Sequence, residues 1–269
     1  SIHSRGRERW EAYRGNHVNC KDALSCCSQI DYFSVACRRQ ALSNPMKGFL
    51  QVEGLVILRQ MSNTLWLDSS GPYCNVGLRT GEKEFCESHY LNRAHNQRML
   101  GLLDAILKGA GIEPDELDAI GFACGPGSFT GVRMAAATVQ ALCSVANCPT
   151  VPVPTNVALY LSAPQAESVL VAIKSRANAF YVSAWNEKGD EVESNLLCDT
   201  PPEWLIQYAQ DAVLMGEQPD WWPNSESVVH LAHADPIILV NVVAERLHAG
   251  ECLLSEQALP LYFSGDSPW

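Results

Sequence analysis

The sequence predicts a mixed α/β protein of two lobes, each a sheet carrying helices. Three observations lead there. Short strand-like runs come first, as a group of three; amphipathic helices then alternate with strands; and a second group of strands restarts beyond residue 164. Strands, then helix, strand, helix, strand, helix, then strands again is a mixed α/β order.

Residues 1–60 precede the regular pattern. They hold Cys20, Cys26, Cys27 and Cys37, scattered arginines and no clean hydrophobic period. The fold is therefore expected to begin near Met61, with 1–60 an extension outside it. Frequent arginine fits an organellar presequence, but Glu8, Glu11, Asp22 and Asp31 oppose that reading.

From Met61 the elements follow in order. Strands are expected over 64–68, 74–79 and 83–89, with Thr80-Gly81-Glu82 turning between the last two. Met99, Leu102, Leu103, Ile106 and Leu107 recur at helical spacing and predict a helix over 95–108, ended by Gly109 and Gly111. A strand over 118–124 leads into a glycine-rich turn and a helix to about Ala146, stopped by Asn147-Cys148-Pro149. A short strand (150–153) and a helix (156–162) complete the first half. Ala163-Pro164 marks the boundary, giving lobes 61–164 and 165–269. The second lobe opens with strands over 169–173 and 179–185 and a turn over 186–190.

Composition sets the outer bounds. Hydrophobic residues make up 47% and charged ones 18%, as in ordinary globular chains. No wholly apolar run reaches the roughly 18 residues of a membrane helix, so no membrane is expected. Eleven cysteines, an odd number without a CxxC pair, point to a reducing compartment, by default the cytoplasm. The net charge of -11 is uneven: residues 1–60 carry nine Lys/Arg against five Asp/Glu, and the acidic excess lies beyond them. So acidic a surface is a poor binder of nucleic acid by itself, since that affinity rests on neutralising phosphates.

The most informative segment is Cys124-Gly-Pro-Gly-Ser-Phe-Thr-Gly-Val-Arg133, between a strand and a helix. Gly125 and Gly127 permit a tight turn, and Ser128 or Thr130 can cap the helix. Amide groups at that helix start can hold an anion. Asp68, Gly125, Gly127, Ser128, Thr130 and Gly131 are therefore the phosphate-loop candidates. The competing reading is a turn whose glycines only let strand and helix pack. No Gly-Lys-Ser/Thr follows, so this is not a Walker A loop.

The string Gly-Pro-Gly-Ser-Phe-Thr-Gly-Val-Arg resembles the signature of the TsaB (YeaZ) family of tRNA threonylcarbamoyladenosine proteins. Leu67-Asp68-Ser69-Ser70, Arg93-Ala94-His95-Asn96-Gln97 and Val151-Pro152-Val153-Pro154 resemble its flanking stretches in the same order. The likeness is good over 61–186 and thins beyond. It implies two actin-like lobes, the actin/Hsp70/sugar-kinase (ASKHA) fold with mixed sheets flanked by helices. It also implies a non-catalytic scaffold subunit in the cytoplasm of bacteria, pairing with the catalytic subunit TsaD and the ATPase TsaE. TsaD transfers the threonylcarbamoyl group to the adenosine beside the anticodon, and tRNA would be met only through the complex.

Two departures bear on chemistry. Catalytic relatives carry a metal-binding His-x-x-x-His where this sequence has Thr155 and Leu159, so no metal is expected. The family's Asp-Ala-Arg stretch is Lys174-Ser175-Arg176 here, which weighs against ATP or ADP although lysine can meet phosphate. No cofactor is required. The family's closing Tyr-Leu-Arg is altered to Tyr262-Phe263-Ser264. His230 and His233 with Asp235, and His89 with His95, read as solvated or capping groups rather than ligands. Trp221-Trp222 reads as packing under a loop.

The resemblance places partner contacts on the helices over 95–108 and 130–146. The candidates are His95, Met99, Leu102, Leu103, Ile106, Arg133, Ala136, Val139 and Gln140. The alternatives are an ATP-binding or hydrolysing enzyme or a metallopeptidase-like protein on the same fold, and a homodimer without TsaD.

Overall fold

The computed structural model describes residues 62–91, 95–164, 167–176, 178–222 and 230–263, with the side chains of residues 95–97, 230 and 231 outside the description. The expectations for 1–60, for the Arg93 stretch and for Ser264 fall outside the described residues.

Strands β1 (Asn63–Asp68), β2 (Tyr73–Thr80) and β3 (Lys83–Tyr90) form an antiparallel meander. Helix α1 (His95–Ala110) and a 3-10 turn (Pro114–Glu116) lead to β4 (Ala119–Ala123), α2 (Phe129–Ala146) and β5 (Thr150–Val153). β4 and β5 add in parallel beside β1, giving the order β3-β2-β1-β4-β5. α3 (Thr155–Ser162) then crosses to the second half. There β6 (Val169–Arg176), β7 (Ala179–Trp185) and β8 (Glu191–Cys198) form another meander, followed by α4 (Glu203–Ala209), β9 (Val213–Gly216) and β10 (His230–Leu231). The second sheet runs β10-β9-β6-β7-β8. Counted from its own first strand, this is the order of the first sheet.

Alternation along the strands decides what each face packs against. Leu65, Leu67, Val76, Leu78, Ile120 and Phe122 join Leu103, Ile106, Leu107, Ala135, Ala136, Val139 and Cys143 in one core, with α1 and α2 on that face. The in-between positions Thr64, Gly77 and Gly121 meet α5 (Pro236–Ala249) on the other face. α5 thus belongs late in the sequence but covers the first sheet. α3 does the converse: Tyr160 stacks on Trp185 and Asn156 donates to Ser183 Oγ at 3.2 Å, both on the second sheet. α3 and α5 touch, and Asp235 N–H donates to Ser162 Oγ at 2.8 Å. The layers therefore run helices, sheet, two exchanged helices, sheet, helix.

α2 is 18 residues long with a mean hydropathy of 1.2, sufficient for a membrane span by length and composition. Its inner face lies in the first core, which is the arrangement of a core helix. Trp222 is buried in the second core with Trp221 against it, the packing role expected of that pair.

Candidate functional site

The glycine turn is a packing junction. Gly125 and Gly127 have φ of 117° and 155°, which side-chain-bearing residues resist, and the Gly125–Pro126 bond is cis. A Cβ on Gly125 would meet Leu261 O at 2.6 Å, and one on Gly127 would fall on Ser70 O. Several backbone polar groups here are bonded within the protein. Ser128 N–H donates to Ser70 O (2.6 Å), Leu261 N–H to Cys124 O (2.7 Å) and Thr155 N–H to Gly125 O (2.8 Å). Ser128 Oγ caps α2 by accepting from Gly131 N–H at 3.3 Å, and Ser69 Oγ donates to Gly131 O at 2.8 Å. Asp68 stands beside this turn, buried. Its Oδ1 accepts from Ser70 N–H (2.8 Å) and Ser70 Oγ (2.7 Å), and Asn75 Nδ2 lies 3.4 Å from Oδ2. The carboxylate fixes the β1–β2 corner on which the glycine turn rests. Of the phosphate-loop candidates, Ser128 and Thr130 are exposed, whereas Gly125 and Gly131 are buried against protein.

A small cavity lies where the strand ends of the two sheets face each other. Asp68, Ser70, Asn75, Thr155, Leu159, Glu217 and His233 help line its volume of about 30 Å³. Asn75 Oδ1 and Thr155 Oγ1 are buried there without a hydrogen-bond partner from the protein. The volume suits one or two waters bridging such groups. Burial pushes the Glu217 carboxyl above its usual range, with Lys174 opposing the shift. Lys174 and Arg176 are themselves exposed. Thr155 and Leu159 occupy the first two turns of α3, and both are buried. Among the described residues no three ligating side chains converge on a metal position. His89 pairs with Glu87 at 2.8 Å, and His233 Nδ1 contacts Ala234 O at 2.9 Å with its ring tilted on Tyr73.

The helix-face candidates divide sharply. Met99, Leu103, Ile106, Ala136 and Val139 are buried within the lobe. That corrects their assignment to a partner surface, because the apolar helical period marks the side turned to the sheet. Leu102 is half-buried, Gln140 Nε2 donates to Ala258 O at 3.1 Å, and the His95 side chain lies outside the description. Arg133 remains on the surface, its guanidinium 3.5 Å over the Phe129 ring and its Nε donating to Tyr262 OH at 2.6 Å. The outward positions include small residues, Gly101, Ala105 and Gly109 on α1 and Ala137, Ala141 and Ser144 on α2, beside the charged Arg98, Asp104 and Lys108 of α1. Leu100 and Val145 are each 63% exposed beside them. The four-residue spacing of Gly101, Ala105 and Gly109 was present in the sequence as the signal for this face.

A tail segment borders α2. Leu253 pairs with Thr150, Ala258 is buried in the first core, and Leu261 and Tyr262 reach the glycine turn and Arg133. Leu259 and Tyr262 are exposed along it.

Comparisons with known proteins point to the TsaB and TsaD proteins of tRNA threonylcarbamoyladenosine modification. The family model described as TsaD, tRNA N6-adenosine threonylcarbamoyltransferase, matches residues 89–208. The tRNA threonylcarbamoyladenosine biosynthesis protein TsaB of Haemophilus influenzae is 39% identical over 123 residues. That match covers 44% of this chain and 52% of the relative, so the chain matches about half the length of that protein. The Escherichia coli TsaB is 25% identical over 221 residues, covering 76% of this chain and 96% of the relative. Among solved structures, YeaZ from Pseudomonas aeruginosa superposes with a TM-score of 0.59 at 28% identity, covering 76% of this chain and all of that one. A second structure, titled as similar to peptidase YEAZ from Pseudomonas aeruginosa, gives 0.61 at 27%, with coverages of 75% and 99%. The two mixed sheets with flanking helices are thus the YeaZ/TsaD-like form of the ASKHA fold. Signature turn, strand order and relatives thus agree in likening the chain to the TsaB (YeaZ) family of tRNA threonylcarbamoyladenosine biosynthesis proteins.

Proposed function

We propose that this chain is a non-catalytic subunit in tRNA threonylcarbamoyladenosine modification, and that it docks the catalytic subunit TsaD through the outward face of α1 and α2. The observation that carries this reading is that face itself. Small exposed residues at helical spacing on α1 and on α2, with Leu100 and Val145 exposed beside them, leave each helix open to close approach at those positions. The lack of a histidine at Thr155 and Leu159 speaks against independent transferase chemistry, despite the match to the TsaD model. Lys174 in place of a carboxylate speaks against nucleotide, and no cofactor is assigned. The ATPase TsaE would join the pair, and tRNA would be held by the partners, because the chain beyond residue 60 is strongly acidic. The complex would act in the cytoplasm.

Co-elution of the full chain with TsaD from the same organism tests the proposal. Ala141→Arg and Ala105→Glu each put a bulky charge on the exposed face without touching the core. Each is expected to weaken the complex by at least about thirty-fold, or roughly 2 kcal/mol, with circular dichroism and thermal midpoint unchanged. A complex that survives both substitutions would overturn the docking face. Homodimerisation through the same face would show as a concentration-dependent shift of the chain run alone.

A further inference from the structure

The end of α2 is a cap built from two cysteines. Asn147, in the left-handed region at φ 51°, breaks the helix. The N–H groups of both Asn147 and Cys148 return to Cys143 O, the latter at 3.3 Å. The bond from Cys148 is the six-residue link of a Schellman cap, a motif that brings the side chains at its two ends into apolar contact. In this chain those two side chains are thiols. Cys143 Sγ and Cys148 Sγ lie 3.8 Å apart, both free and both buried, with Cys143 Sγ also 3.7 Å from Pro149 O.

The geometry points to Cys143 and Cys148 as a dithiol that closes to an intramolecular disulfide when the chain meets a peroxide. A disulfide needs the sulfurs at about 2.05 Å, so each thiol has only a short way to travel, and the cap already fixes the two Cα atoms on one turn. Access selects the oxidant. Cys148 is 9% exposed beside exposed Val145 and Asn147, which admits a molecule of hydrogen peroxide's size more readily than a bulky disulfide.

The chemistry balances in two steps. The Cys148 thiolate attacks one peroxide oxygen and the O–O bond breaks. A sulfenic acid forms on Cys148, and the departing hydroxide takes up the thiol's proton as water. The Cys143 thiolate then attacks Cys148 Sγ and the S–O bond breaks. The oxygen leaves as a second water carrying the Cys143 proton. Two thiols and one peroxide give one disulfide and two waters. Thiol reductants reverse the bond, so a reducing compartment keeps the pair open at rest.

Trypsin should release residues 134–174 as one peptide, and Cys143 and Cys148 are its only cysteines. The full chain is treated with increasing hydrogen peroxide, alkylated, digested and weighed, with free glutathione in a parallel tube reporting active oxidant. The expected result is that this peptide loses both alkylation sites together and weighs two hydrogens less. Dithiothreitol should restore both sites, and Cys148→Ser should leave Cys143 open to alkylation after denaturation. Two outcomes would overturn the inference. In one, both sites stay alkylatable at peroxide levels that consume the glutathione. In the other, one cysteine gains oxygen while its neighbour remains a free thiol.

Discussion

Replacing Gly131 by alanine would set a methyl carbon on the Ser69 carbonyl oxygen, an atom held in the tight β1–β2 corner. Neither backbone can yield, because Ser69 Oγ and Ser70 O are both bonded to the glycine turn. Gly131→Ala is expected to cost about 3 kcal/mol, read as a fall in urea midpoint. Gly101→Ala makes the opposite case. Its Cβ would meet nothing within 4 Å, and it sits inside α1. The lone chain should gain about 1 kcal/mol from helix propensity, a rise of about 2–4 °C in thermal midpoint. Glu217 adds a pH dependence. Its folded carboxyl titrates above the usual range because burial penalises the charge. The folded state therefore binds the proton more tightly than the unfolded chain does, and stability is lost as pH rises through the carboxylate range. Glu217→Gln should raise the thermal midpoint at neutral pH, and the difference should vanish below about pH 4.

At the scale of elements, α5 is the helix whose position the sequence concealed. Its ends are legible: Asp235 Oδ1 accepts from Ile237 N–H at 2.9 Å, Pro236 opens the helix and Gly250 closes it at φ 71°. Its destination is not, because it depends on Gly77 and Gly121, which along their own strands read only as glycines. Together they hollow one face of the first sheet so that Pro236, Val240 and Val243 can approach. Gly121→Ala would drive a methyl into Val243 and Trp66, and should cost about 2–3 kcal/mol, seen as a lower thermal midpoint. From Met61 to Trp185 the strands and helices match their expected spans within two or three residues, since period, turn glycines and the Asn147-Cys148-Pro149 stop are local signals. Helix faces were less transparent. The apolar period of α1 marks Met99, Leu103 and Ile106 as core, and a surface for a partner is what that period leaves over. The small-residue spacing that identifies the leftover face gains meaning only once the sheet side is known.

For the molecule as a whole, the two sheets share one strand order, and each receives a helix from the other half of the chain. Between the paired strand ends lies a cavity of about 30 Å³. Particular residues shape it: Asp68 is engaged by Ser70, the glycine turn lies against Ser70 and Leu261, and α3 brings Thr155 and Leu159 to the wall. A ligand that binds the folded state at 100 times its Kd adds roughly 2.7 kcal/mol, a shift readily seen by thermal melting. With the chain alone, millimolar Mg-ATP or Mg-ADP is expected to leave the melting curve in place. A midpoint that climbs with nucleotide concentration would mean that the folded chain binds nucleotide by itself, and would move it from scaffold towards nucleotide-dependent chemistry.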